Sequence, residues 1–374
     1  MTAVDEYAAS FSEEPGYLDF ARVGPIGGIV QAEQQGQQAL LSRARFGSLD
    51  SLDSQDERMR DAVSELTGFP SDQVVFQTST GQGLMHAMFG LTGGVALSPA
   101  EYPSVTYAAQ RASESLGVVT PLWLETDHGR VTPGNLREQL TSTTVAVAVS
   151  LVDSRTGYLA DLEGIRQVIG DRLLIVDAVQ GFGVVDAPYE VADVVVSGGQ
   201  KWVRAGWGCG FMALSDRASD QLVPVWSGAD GSEGDGESLD VVRPPARGAA
   251  AFTVSNPDPI AEARFAAALE QIAVVGVSDI RQRISGTVSQ IIDIADEFVI
   301  PVGSSRDETE RAGIVVLQPA PDQLTVLVAS LHNHGVTVTT REGTVRVSAH
   351  ASTNGETLDM LRAAFLSFAT LSQG

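Results

Sequence analysis

The chain has 374 residues, of which 43% are hydrophobic and 19% are charged, and its net charge is −23. This length suits two or three units of ordinary domain size with a large buried core. The strong negative charge argues against nucleic acid and anionic membrane surfaces as partners, because both bind basic patches.

The sequence contains no apolar run near the roughly 20 residues that a membrane-spanning helix requires. Its start, MTAVDEYAASFSEEPGY, is acidic, whereas a signal peptide is basic and then apolar. We therefore expect a cytoplasmic protein without a membrane partner. The single cysteine, Cys209, excludes an intramolecular disulfide and a thiolate metal site, and we expect it to pack in the core.

The first two thirds of the chain predict an α/β fold. An extended segment at 17–28 precedes a helical stretch, and residues 51–68 have the pattern of a capped amphipathic helix that ends at Gly68. Apolar runs, several of them rich in Val, Leu and Ala throughout, then alternate with helical or turn-bearing segments: QVVFQTS, GVALSP, VVTPLWLE, TTVAVAVSLV, RLLIVDA, DVVVSGG and CGFMAL. Such runs are typical of strands buried on both faces, so we predict a seven-stranded, mostly parallel sheet.

The last third has a different pattern. A loop rich in Gly, Asp and Glu at 228–240 should be mobile or shaped by a partner. Two long helices, a strand, the hairpin VTVTTREGTVRVSAH and a C-terminal helix near 357–371 follow. We predict a large domain at 20–250 and a small α+β domain formed by 1–19 and 251–374.

Three of the predicted strands end in residues that suggest chemistry, and ligands of open α/β sheets bind at the carboxyl ends of the strands. The first strand leads into TSTGQG and a helix start, whose amides can bind a phosphate. RLLIV ends in Asp177, with Gln180 three residues on, and DVVVS leads into Lys201. A carboxylate at the end of an apolar strand is costly to bury without a partner.

Lys201 is the only lysine among 24 basic residues. An ammonium group can lose its proton in a desolvated pocket and attack a carbonyl, whereas a guanidinium stays protonated. A phosphate-binding turn, a buried carboxylate and one amine together match the needs of pyridoxal phosphate (PLP). The alternative is that a lysine-poor composition left one lysine by chance, beside a generic strand, turn and helix.

The motif D-x-x-Q, followed by an apolar strand, GGQKW and GWGCGF, resembles the class V aminotransferase group of fold-type I PLP enzymes, which includes cysteine desulfurases and kynureninases. The resemblance extends from LDFARVGP to VRVSAH. It implies a large domain with a seven-stranded sheet, a small domain, PLP as cofactor, an amino-acid substrate and a homodimer with its sites at the subunit interface.

The resemblance also implies residue roles. Lys201 would form the Schiff base with the cofactor, Asp177 would hold the pyridine nitrogen protonated, and Gln180 would donate to the ring hydroxyl. Further residues would contact the cofactor around its phosphate and ring: Thr80, Gly81, Gln82, Tyr102 and Gln200. Arg346 would bind the substrate carboxylate, and Trp226 and Asn256 match kynureninase segments that line the substrate pocket.

Structural roles remain open for several of these residues. Tyr102 fits an ordinary half-buried tyrosine, Trp226 an interface aromatic, Asn256 a helix N-cap and Arg346 a surface or interdomain salt bridge.

Four positions depart from the family pattern. Gln200 replaces the histidine that commonly precedes the lysine in desulfurases, and Gly198 stands where a phosphate-binding serine is expected. Ala229 stands where kynureninases carry a pocket histidine, so kynurenine is not the expected substrate. Cys209, the only cysteine, follows Lys201 closely instead of lying in the C-terminal third, which argues against persulfide chemistry.

These observations favour a PLP-dependent aminotransferase or C–S lyase that acts on an amino acid through Lys201. Three alternatives stay open: a lyase of the hercynylcysteine sulfoxide lyase type, a kynureninase-like lyase, and a binding protein that kept the fold but lost turnover. An NAD-dependent Rossmann enzyme is disfavoured because no G-x-G-x-x-G follows the first strand.

Overall fold

The computed structural model describes residues 2–234 and 240–372, so residues 235–239 of the predicted Gly/Asp-rich loop lie outside it. The helices of the described residues are α1 Ala3–Ala9, α2 Gly28–Ser42, α3 Asp50–Asp53, α4 Gln55–Thr67, α5 Thr80–Gly90, α6 Pro103–Leu116, α7 Pro133–Gln139, α8 Leu162–Ile169, α9 Asp216–Gln221, α10 Pro259–Val275, α11 Val277–Glu297, α12 Leu324–Asn333 and α13 Gly355–Ser372. The strands are β1 Val74–Phe76, β2 Gly93–Leu97, β3 Val119–Trp123, β4 Thr144–Ser150, β5 Leu173–Asp177, β6 Val194–Gly198, β7 Gly210–Leu214, β8 Ile314–Leu317, β9 Thr339–Arg341 and β10 Thr344–Ser348.

The predicted large sheet is confirmed. Its seven strands lie in the order β1-β7-β6-β5-β4-β2-β3. Only β7 runs antiparallel to its neighbours, β1 and β6, so the other six strands point the same way. Each of the seven apolar runs in the sequence forms one of these strands, and their carboxyl ends, β7 excepted, meet at one edge of the sheet.

Both faces of the large sheet are buried, as the continuous apolar runs indicate. Along β4, Ala146 and Ala148 pack into the cluster on one face, which includes α5 and α6. Val147 and Val149 pack into the larger cluster on the other face. Because successive strand residues point to opposite faces, a strand without polar alternation has to lie between two layers of helices.

A second sheet lies in the C-terminal third, with the strand order β8-β10-β9 and antiparallel pairing throughout. The predicted hairpin forms β9 and β10, and the predicted C-terminal helix is α13. The boundaries of the two predicted domains stay a prediction. Helix α10, which falls in the predicted small domain, packs against α2 and α4.

Two predicted helix ends differ in outcome. α4 ends at Gly68, which adopts the left-handed conformation with φ 76° that glycine tolerates best. The continuous helix predicted over 51–68 is interrupted at Ser54, where α3 ends and α4 begins. The N-cap interpretation of Asn256 is wrong, because the N-cap of α10 is Asp258, whose carboxylate accepts a hydrogen bond from the Ile260 amide at 2.9 Å.

No helix within residues 2–234 and 240–372 is long and apolar enough to cross a membrane.

Candidate active site

The candidate site lies where the carboxyl ends of the parallel strands meet. Asp177 is the last residue of β5, and Lys201 follows β6 by three residues. Thr80 begins α5 just after β1, and Tyr102 precedes α6 just after β2. The fold therefore brings together four predicted site residues that are far apart in sequence.

Lys201 is a buried amine without an ionic partner. Its side chain is only 7% exposed, and among the described residues no carboxylate lies within 4.0 Å of its amine. Nζ lies 5.1 Å from the centroid of the Tyr102 ring. Burial lowers the pKa of the Lys201 ammonium to about 8, although the charge of Asp177 opposes this shift. The amine is therefore much easier to deprotonate than an ordinary lysine.

Asp177 is a buried carboxyl group near enough to the Lys201 amine for the two charges to interact. It is 3% exposed and accepts a hydrogen bond from the Val179 amide at 3.0 Å. Burial raises the pKa of Asp177, while that hydrogen bond and the charge of Lys201 act in the opposite direction. A cationic ligand group beside Asp177 would replace the water that the carboxylate has lost.

The start of α5 has the features of an anion site. Thr80 is 6% exposed, and none of the described residues forms a hydrogen bond with its Oγ1. The N-cap Ser79 already accepts from the Gln82 amide at 3.2 Å, and the Gln82 side-chain oxygen accepts from the Thr78 amide at 3.0 Å. The Thr80 hydroxyl and the first amides of the helix thus remain to bind a phosphate.

The structure shows why position 198 is glycine where the family pattern has a serine. A Cβ atom at this position would lie 2.4 Å from Gln200 Oε1 and 3.1 Å from Thr80 Oγ1. The side chain of Gln200 therefore occupies the space in which a serine at position 198 would stand. The Gln200 side chain therefore lies near Thr80, on the side where the phosphate would bind.

Gln180 is held from two directions. Its amide nitrogen donates to the Ala21 carbonyl at 2.9 Å, and its oxygen accepts from Trp202 Nε1 at 2.8 Å. These bonds fix the segment after β5 to the segment after Lys201. One amide hydrogen of Gln180 is left to donate to a ligand. Its donation to the cofactor's ring hydroxyl stays a prediction.

A cavity of ≈ 490 Å³ opens beside Tyr102. Its lining includes Glu101, Tyr102, Arg155, Arg341 and Arg346. Because the ring of Tyr102 also lies over Lys201, this residue connects the cavity with the amine.

Arg346 is 5% exposed on β10, so it is no surface residue. Its Nη1 donates to the Ser154 carbonyl at 3.0 Å, and its Nη2 lies 3.8 Å from Asp19 Oδ1. Nε has no partner. Burial lowers the pKa of the Arg346 guanidinium, and Asp19 opposes the shift. The residue thus combines a salt bridge with a position in the cavity wall, where a substrate carboxylate can reach it.

Trp226 and Asn256 lie outside this cavity wall. The Trp226 ring packs against His86 and Phe89 of α5, with centroid distances of 5.4 and 5.0 Å. The Asn256 amide donates to Asp230 at 2.6 Å. Their assignment to the substrate pocket remains a prediction.

Glu101 is a cavity residue that the sequence reasoning missed. The amide and the hydroxyl of Ser150 donate to its Oε2 at 3.1 and 2.5 Å, and Ser150 pairs with Asp177 across β4 and β5. Burial raises the pKa of Glu101 to about 7, despite these hydrogen bonds. Its place directly before Tyr102 was the available signal, but only the fold shows that both residues face one cavity.

Cys209 packs in the core, as expected. It is 1% exposed, and its thiol donates to the Gly206 carbonyl at 3.3 Å. Burial raises the pKa of the thiol to about 11. A buried thiol of this kind has almost no nucleophilic thiolate at neutral pH.

Comparison with known families decides the class of the protein. The family "Aminotransferase class-V" matches residues 39–373. The chain belongs to the class-V aminotransferase family. This protein is accordingly a PLP-dependent enzyme with PLP as its cofactor. Thr80 Oγ1, the Gln200 side chain, Asp177 and Lys201 fit that cofactor.

Three known proteins show how far the likeness extends. An uncharacterized aminotransferase of Bacillus subtilis (strain 168), YcbU, is 24% identical over 304 residues, which cover 79% of this chain and 78% of that protein. The apo cysteine desulfurase of Thermococcus onnurineus NA1 superimposes with a TM-score of 0.83 at 20% identity, over 93% of each chain. The cystine C–S lyase C-DES, in complex with its product cysteine persulfide, gives a TM-score of 0.85 at 16% identity, over 94% of this chain and 97% of that one. These two structures share the fold-type I architecture.

Proposed function

We propose that this family member acts on the Cα–H bond of a free amino acid, as an aminotransferase or a C–S lyase, with Lys201 as the group that binds PLP and moves the proton. The observation that carries the proposal is the buried, unpaired amine of Lys201 beside Asp177 and over the Tyr102 ring.

Each residue of the site has a distinct task in this proposal. Thr80 and the first amides of α5 hold the phosphate group. Asp177 would keep the ring nitrogen of PLP protonated, and bound PLP would supply an electron sink for the electron pair left at Cα. Lys201 Nζ would take the Cα proton, which its lowered pKa of about 8 permits near neutral pH. Arg346 binds the α-carboxylate and orients the Cα–H bond.

Aminotransferases and C–S lyases share this first proton transfer and differ in the next step. A transaminase passes the amino group on to an acceptor, whereas a lyase releases a sulfur group from Cβ. Enzyme-bound persulfide chemistry is disfavoured in either case, since Cys209 is the chain's single cysteine and is buried in the core.

The proposal includes a homodimer. Its support is the family resemblance and a set of large apolar side chains that are exposed in the single chain, including Phe46 at 106% and Trp207 at 68%. Light scattering of the purified protein tests it, and a monomer at micromolar concentration would refute it.

Purified holoenzyme, incubated with a panel of amino acids and sulfur-containing amino acids, tests the activity. A transaminase yields a keto acid only with a matching amino acceptor or with loss of the cofactor's aldehyde absorbance. A lyase yields a keto acid, ammonia and a sulfur product while keeping that absorbance. Absence of both keto acid formation and Cα–H exchange in D₂O for every amino acid would favour the non-catalytic binding protein instead.

A further inference from the structure

The cavity beside Tyr102 brings together several arginines of a strongly acidic chain. The whole chain has a net charge of −23. Three arginines nevertheless line this cavity, against two carboxyl groups, those of Glu101 and Glu342. Arg155 and Arg341 are exposed, so water screens part of the repulsion among these arginines, and an anion bound between them would reduce it further.

Two of the three arginines have protein partners. Arg155 lies 3.4 Å from Asp153, and Arg346 lies 3.8 Å from Asp19. Arg341 differs, because in the described part of the chain no carboxylate lies within 4.0 Å of its guanidinium. Glu342 follows it directly in sequence and lines the same cavity, yet the two side chains form no ion pair. Arg341 is exposed to solvent and lines the cavity, so its guanidinium can bind a ligand anion there without breaking an ion pair.

The hairpin fixes where Arg341 points. In the register of β9 and β10, Arg341 lies opposite Thr344, and Arg346 lies opposite Thr339. Thr344 and Arg346 share a face because they are two residues apart, so Arg341 and Arg346 are diagonal neighbours on that face. Such positions are about 7 to 8 Å apart between Cα atoms. Both charges also reach the amine, since each acts to lower the pKa of Lys201.

We propose that Arg341 determines specificity by binding a second anionic group, on the side chain of the substrate. The substrate is then an acidic amino acid, with its α-carboxylate at Arg346 and a side-chain carboxylate or similar oxyanion at Arg341. This inference rests on the proposed function, since it takes the position of the α-carboxylate from there.

The chemistry of the lining supports this division. Gln318 and Thr344 also line the cavity and can donate to an anion, but neither discriminates charge. Arginine offers a planar fork that matches a carboxylate at two points. A neutral amide side chain of the same shape would lose that pairing and leave the guanidinium with water alone.

The test compares isosteric substrates that differ only in charge. The kcat/KM of holoenzyme is measured for glutamate against glutamine and for aspartate against asparagine. We expect the wild-type protein to prefer at least one acid over its amide by about ten- to a hundredfold, as charge-assisted hydrogen bonds imply. In Arg341→Gln that ratio should fall to near unity, mainly through KM, and Arg341→Lys should retain part of it.

Arg137→Gln provides the matched control. Arg137 is exposed on α7 and is absent from the cavity lining, so this variant loses the same charge without touching the cavity. It should keep the wild-type ratio. An unchanged ratio in Arg341→Gln, or a wild-type protein that prefers both amides, would overturn the proposal.

A binding measurement separates this inference from the proposed activity. Calorimetric titration of holoenzyme with glutarate and with its monoamide, glutaramate, requires no turnover. Tighter binding of glutarate in the wild type, lost in Arg341→Gln, supports the anion site even if no amino acid reacts. Equal binding of the two ligands in the wild type would refute it whatever the activity.

Discussion

Lys201 and Arg204 are two buried cations three residues apart in the loop after β6, and their surroundings are opposite. Arg204 is 0% exposed and pairs with Glu13 at 3.0 and 2.5 Å through its two terminal nitrogens. It also donates to Ser352 Oγ at 2.8 Å and to the Pro25 carbonyl at 2.5 Å. In the part of the chain that the structure describes, Lys201 has no such partner, and Tyr102 offers it only a ring face.

The difference shows how one loop separates stability from reactivity. A buried charge is tolerated when its hydrogen-bonding capacity is filled, as for Arg204. Arg204 also adopts a positive φ of 61°, which is uncommon for a residue with a side chain and persists only where contacts hold it. The bonds of Arg204 thus fix the loop, and the fixed loop keeps the Lys201 amine in a place where its charged form is disfavoured.

Removing the Arg204–Glu13 ion pair should have the largest effect on stability. Arg204→Met leaves Glu13, whose side chain is 12% exposed, without its cationic partner, so we expect the free energy of unfolding to fall by about 3 kcal/mol. Denaturant unfolding measures this. Arg306→Met is the control, since Arg306 and Asp296 form an exposed pair worth no more than about 1 kcal/mol. Equal losses in both variants would contradict the account.

The unpaired amine of Lys201 should make the stability of the cofactor-free protein depend on pH. Burial lowers the pKa of Lys201 from 10.5 to about 8, so between these values the unfolded chain binds more protons than the folded one. Stability relative to Lys201→Met should therefore rise with pH across this window, by about 3 kcal/mol. Urea unfolding of both proteins at several pH values measures the difference. A difference that stays flat, or falls, would mean that the amine is already well solvated.

Asp177→Asn tests the role of the buried carboxyl group near Lys201. The amide has nearly the same volume but cannot hold the cofactor's ring nitrogen protonated, so we expect activity to fall roughly a hundredfold. The unfolding midpoint should not fall, because burial already disfavours the carboxylate. Turnover close to that of the wild type would reject the assigned role.

Arg346 tests whether a partly paired cation can also bind substrate. Arg346→Ala should bind an amino acid about ten- to a hundredfold more weakly, and Arg346→Lys should recover only part of this, because it lacks the two-point contact. The decarboxylated amine of the same amino acid is the matched ligand and should bind equally to all three proteins. Equal losses for both ligands would leave Arg346 with its bridge to Asp19 as its only role.

The sequence predicts the large sheet well because its strands are apolar on both faces. Runs such as RLLIVDA are apolar at successive positions instead of alternating with polar residues, and each run forms a strand. The placement of Asp177 and Lys201 at strand ends follows directly from that sheet. The sequence also predicts the burial of Cys209, which lies between Gly208 and Gly210 just before β7.

Glu101 and Arg341 could not be predicted as cavity residues, because their meeting depends on how the C-terminal hairpin lies against the start of α6. No local pattern encodes that contact. The helix starts show the same limit on a smaller scale: Asn256 and Asp258 are both good N-cap residues, and the chain direction before α10 decides for Asp258.

The most direct test of the account is the site of covalent attachment. Holoenzyme is reduced with borohydride and digested, and the peptides are mapped by mass. We predict a pyridoxyl group on Lys201 and none in Lys201→Arg, whose guanidinium keeps the positive charge but does not form the bond. Because Lys201 is the only lysine of the chain, no second side-chain amine competes for the label. An unmodified Lys201 in fully loaded protein would contradict the central claim.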